Sequence, residues 1–67
     1  MNALDLHSVR HSEVSKLVEQ FIFENRNVLP VKIITGNSSK MRQLVIDCAT
    51  EMNYNTFRDK FTEIIIY

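Results

Sequence analysis

Val31-Lys32-Ile33-Ile34-Thr35-Gly36-Asn37-Ser38-Ser39, followed by Lys40 to Met52, decides the fold. Four of the first five residues are β-branched, which suits a pleated, packed surface and predicts a strand largely buried on both faces. Gly36 to Ser39 then reads as a turn whose serines can cap a helix. The helix follows at once. Met41, Leu44, Val45, Cys48, Ala49 and Met52 recur at 3.6-residue spacing, the clearest amphipathic signal in the chain. Asn53 and Asn55 are expected to close it.

The same alternation extends upstream. Leu4-Asp5-Leu6-His7 is a strict apolar/polar alternation and predicts a short strand. Leu4 and Leu6 would face the core, with Asp5 and His7 together on the other side. Ser8 and Ser12 are alternative N-caps for a first helix, whose stripe is Val14, Leu17, Val18, Phe21 and Ile22. Asn25-Arg26-Asn27 end it and Pro30 blocks its resumption. Downstream, Tyr54 to Arg58 and Glu63 to Tyr67 read as two strands turning around Asp59-Lys60. The order is therefore β-α-β-α-β-β. Parallel crossovers of one hand put both helices on one face of a mixed four-stranded sheet, an α/β two-layer sandwich.

Sixty-seven residues are expected to make one domain over 1–67. Eight Lys and Arg balance eight Asp and Glu, so a polyanion would need a local basic patch. The one cysteine, Cys48, makes no internal disulfide and sits on the helical stripe as a small core residue. The unstapled composition, and an opening Met1 to Asp5 without the basic-then-apolar order of a leader, lead us to expect a cytoplasmic protein. The longest apolar runs are three residues, so no membrane partner is expected.

Two polar clusters fall where ligands bind in open α/β sheets, beyond the carboxyl ends of parallel strands. Asp5 and His7, with Ser8 and Arg10 just after, form the first. Thr35, Gly36, Asn37, Ser38 and Ser39 form the second, and Lys40 and Arg42 add positive charge to the first helical turn. An ordinary helix prefers acids there, so the inversion suits an anion such as phosphate. His7 and His11 straddle a strand-helix junction, and no metal site is expected from them or from any other cluster. Arg58 and Lys60 read as a charged turn. Tyr54, Phe57 and Phe61 are expected mostly in the core.

Leu4-Asp5-Leu6-His7, a helix, and a strand ending in Thr35-Gly36-Asn37-Ser38 resemble the small MutS-related (Smr) domain family over essentially the whole chain. Its members carry leucine-aspartate-leucine-histidine-glycine on the first strand and histidine-glycine-any-glycine after the second. The resemblance implies a sandwich like the C-terminal domain of a bacterial translation initiation factor. It also implies binding of DNA or RNA, branched or single-stranded, and in many members endonuclease activity. Asp5 and His7 would be the catalytic acid and imidazole, and Gly36 with its neighbours the phosphate loop. A divalent cation is expected only if the site cleaves.

Ser8 replaces the first motif's glycine, Thr35 the second motif's histidine, and Ser38 its second glycine. Threonine cannot exchange a proton near neutral pH, so cleavage is expected to suffer more than binding. The alternative expectation is a protein-interaction adaptor that keeps the fold without the chemistry. Self-association is a further expectation, through an edge strand at Glu63 to Tyr67, where three consecutive isoleucines would be exposed.

Overall fold

The computed structural model describes residues 1–67 and contains six elements in the expected order. They are β1 (Ala3–Asp5), α1 (His11–Glu24), β2 (Val31–Ile34), α2 (Ser39–Glu51), β3 (Thr56–Lys60) and β4 (Glu63–Ile66). One mixed sheet runs β1-β2-β4-β3, with both helices on one face. β1 pairs in parallel with β2, Leu4 opposite Ile33. β4 lies antiparallel between β2 and β3.

The register sorts the side chains. Leu4, Ile33, Ile64 and Arg58 form one cross-sheet row, and Val31, Ile66 and Thr56 the next, on the helix side. Ile33, Ile64, Val31 and Ile66 are fully buried there against Val14, Val18 and Ile22 of α1 and Met41, Val45, Cys48 and Ala49 of α2. Leu6, one residue beyond β1, is also fully buried, as the alternation predicts.

Strand β2 corrects the expectation of burial on both faces. Val31 and Ile33 are buried, whereas Lys32 and Ile34 are only half-buried, because no layer covers the second face. On that face Lys32 Nζ lies 3.4 Å from Glu63 Oε1. The oxygen is nonetheless without a hydrogen-bond partner, so the contact is an ion pair rather than a directed bond.

Helix boundaries follow local hydrogen bonding. The N-cap of α1 is Arg10, with no side-chain bond, instead of Ser8 or Ser12. Leu6 O accepts from Val9 N at 3.0 Å, so Ser8 is spent in the turn, and Ser12 falls inside the first helical turn. α2 does have its serine cap. Ser38 accepts from Met41 N at 3.0 Å. At its other end Asn53 takes a left-handed φ of 66°. Tyr54 N then donates to Ala49 O and Asn53 N to Thr50 O, the paired bonds that close a helix tightly.

That closure is why β3 starts at Thr56 instead of Tyr54: Tyr54 is the helix-closing residue and packs half-buried on the core. Asp59 is then an extra residue, since the pairing steps from Arg58–Ile64 to Lys60–Glu63. The turn falls on Phe61-Thr62, two residues later than expected.

The Glu63–Tyr67 segment is not an edge. β4 has a neighbour on each side, with Ile64 and Ile66 buried, so the premise for self-association through it is overturned. The edges are instead three-residue β1 and the charged, bulged β3, both poor templates for strand addition.

Candidate phosphate-binding site at the carboxyl ends of β1 and β2

Because β1 and β2 are parallel neighbours, the two polar clusters meet. Leu6 N donates to Ile34 O at 2.8 Å, carrying the pairing one residue past β1. A Cβ placed on Gly36 would come within 3.4 Å of the His7 Cβ. Gly36 itself has a φ of +70°, a conformation other residues rarely adopt. The loop can therefore lie directly against His7.

Asp5 and His7 form a dyad. His7 Nδ1 is 2.6 Å from Asp5 Oδ1, and His7 N donates to the same oxygen at 3.0 Å. The backbone bond from His7, followed by the imidazole bond, holds the Asp5 carboxyl below the ordinary aspartate range. With Asp5 ionised, Nδ1 is the ring nitrogen that carries the donated proton, so that in the neutral imidazole Nε2 is the one that can accept from a water or hydroxyl. Both side chains are at least half exposed, so the dyad is accessible to a large substrate. Ser8 and Arg10 lie exposed immediately after it.

The second cluster divides. Thr35 is 2% exposed, and its single hydroxyl proton is shared between Gly36 O and Thr62 O, at 3.1 and 3.2 Å. Thr35 N also donates to Thr62 O, at 2.8 Å. Thr35 thus ties the loop to the β3–β4 turn and turns its hydroxyl away from a ligand. Among Gly36, Asn37, Ser38, Ser39 and Lys40, no backbone N–H donates to any protein acceptor. Five free donors at the positive end of α2 make an anion-seeking surface. Lys40 is exposed, while Arg42 is half-buried.

Arg42 goes elsewhere than the sequence implies. Its guanidinium donates to Phe61 O at 3.2 Å and lies 4.4 Å from the Phe61 ring centre. Arg58 approaches the same ring at 5.1 Å. Phe57 and Phe61 are 57% and 56% exposed, which corrects their expected place in the core. Arg58 was legible only as a turn charge, since the bulge at Asp59 that sets its direction has no sequence signature. Nowhere do three His, Cys, Asp or Glu side chains come together as a potential metal site. No helix is long and apolar enough to cross a membrane.

Compared with known proteins, the chain matches no family model, no curated protein and no solved structure.

Proposed function

We propose that the chain is a nucleic-acid-binding domain related to the small MutS-related family, gripping phosphate at the Gly36–Lys40 loop beside the Asp5–His7 dyad. The observation that carries this reading is the run of five unpaired amides leading into α2, whose first residue, Gly36, packs closely beside His7. Backbone donors recognise phosphate without reading sequence, and exposed Lys40 adds local charge that a neutral chain lacks overall, with Arg42 further along, against Phe61.

Nicking of the bound strand is the sharper form of the proposal. His7 would take a proton from the water as its oxygen bonds to phosphorus, and the bridging P–O bond would break. The leaving sugar oxygen would take a proton from the imidazolium or from solvent, while Asp5 holds the imidazole in the right tautomer and the amides face the phosphate. A Mg2+ recruited there would take Asp5 as its one carboxylate, alongside phosphate oxygens and water. The inward-turned Thr35 hydroxyl supports the alternative, an adaptor that binds a protein and cleaves nothing.

Titration into labelled duplex, single-stranded and branched DNA and matching RNA, at low and physiological salt, tests the reading. Binding should fall steeply with salt and disappear in Lys40→Glu/Arg42→Glu. No binding to any of them refutes it, and a salt-indifferent protein partner would establish the adaptor. Plasmid nicking by the wild type that Asp5→Asn abolishes would establish the nuclease.

A further inference from the structure

We infer that the groove between α2 and the β3–β4 hairpin is a second phosphate subsite, which seats the next phosphodiester of a single strand held at the Gly36 loop. The inference rests on the nucleic-acid reading above and extends it from one phosphate to two.

The groove encloses about 410 Å3. Arg42 and Arg58 supply its charge, and no carboxylate lines it. Ser39, Gln43 and Thr56 add neutral polar groups, over a floor that includes Ile64. The nearest acid along α2, Asp47, is engaged by Gln43 Nε2 at 2.8 Å. Two guanidiniums without a lining acid make a local positive field that the neutral net charge conceals.

The guanidiniums are also held in place. Phe61 lies within 4.4 Å of one and 5.1 Å of the other, and its carbonyl accepts from Arg42. Stacked arginines lose less freedom on meeting a phosphate than free ones do. The half-exposed Phe61 ring beside them offers an apolar surface to a sugar or base.

Continuity with the first subsite comes from Ser39. It lines the groove, yet its backbone N–H is one of the free donors of the loop. The hairpin turn is fastened to the same loop through Thr35 and Thr62. A flexible backbone can pass from the loop into the groove, and the exposed Phe61 ring beside it suits an unpaired base, whose face a duplex does not present. The occupant is therefore single-stranded DNA or RNA, bound through consecutive phosphates.

Fluorescence anisotropy with labelled oligothymidylate of about twelve nucleotides tests this, at salt from about 50 to about 200 mM. Arg58→Ser should weaken binding about fivefold and flatten the salt slope by about 0.7, the value for one lost single-strand phosphate contact. Gln43→Glu, which adds a carboxylate to the groove from an exposed helical position, should weaken binding at least as much. Arg26→Ser removes the same charge beyond the far end of α1 and should leave both quantities unchanged. Circular dichroism confirms that each variant is folded. If Arg58→Ser and Gln43→Glu bind like wild type while Lys40→Ser binds more weakly, the groove inference is overturned and the first subsite stands. If the wild type does not bind, both fall.

Discussion

Gly36→Ala isolates the most constrained point of the candidate site. Gly36 has a φ of +70°, and an alanine there must adopt a left-handed backbone that costs roughly 1–2 kcal/mol. Alanine also stiffens the unfolded chain, which returns roughly 0.4–1 kcal/mol. The added methyl would lie 3.4 Å from the His7 Cβ, at the near limit of ordinary contact, and adds little to the sum. The net loss is therefore about 1 kcal/mol. An unfolding entropy of about 2.1 cal/mol/K per residue amounts to about 0.14 kcal/mol/K for 67 residues. A loss of that size lowers the melting temperature by about 7 °C. Total stability for a domain of this size is roughly 3–10 kcal/mol, so the variant still folds. Thermal unfolding followed by circular dichroism at several denaturant concentrations measures the shift. Gly36→Asn, a residue that tolerates the left-handed region, should lose clearly less. A melting temperature for Gly36→Ala within a degree of wild type would refute the positive φ and, with it, the close approach of the loop to His7.

Ser38→Ala removes the acceptor of Met41 N and should cost about 1 kcal/mol, with faster hydrogen exchange at that amide. Ser38→Asp keeps the cap but brings negative charge to the loop, so oligonucleotide binding should weaken while the melting temperature holds; equal binding would remove phosphate from the argument. Asp5 binds its proton more weakly folded than unfolded, chiefly through the His7 backbone bond. The stability this confers is complete above pH ~4 and fades as the pH falls through the lower folded-state value. Carbon-13 NMR should place the Asp5 midpoint below that of ordinary aspartates, and a midpoint at or above them would contradict the dyad.

The parts of the fold legible in the sequence are those with long periodic signals. Met41, Val45, Cys48 and Ala49 mark α2, and Val14, Val18 and Ile22 mark α1; all seven are buried. The meeting of Asp5 and His7 with Gly36 followed from parallel pairing of two neighbouring strands. What escaped the reading depended on contacts between distant residues or on single-residue backbone choices. The left-handed turn at Asn53 moved β3 by two residues, and the extra residue Asp59 moved the hairpin turn. Those two shifts brought Arg58 and Phe61 to Arg42, a cluster that local periodicity cannot encode. The placement of β4 inside the sheet was equally hidden, since an isoleucine run reads alike at an edge and at a centre.

Inserting β4 between β2 and β3 also fixes the order in which the domain can assemble. β3 emerges from the ribosome before β4, yet its only strand partner is β4. Until Glu63–Ile66 has been made, β2 carries an unmatched side and β3 has nowhere to dock. Growth of the sheet in chain order thus stops at the β1–β2 pair, and one later segment completes the other two ladders together. A nascent chain halted before Glu63 would hold an open slot beside β2, bounded by buried-type isoleucine and valine positions, which is the form most in need of a chaperone.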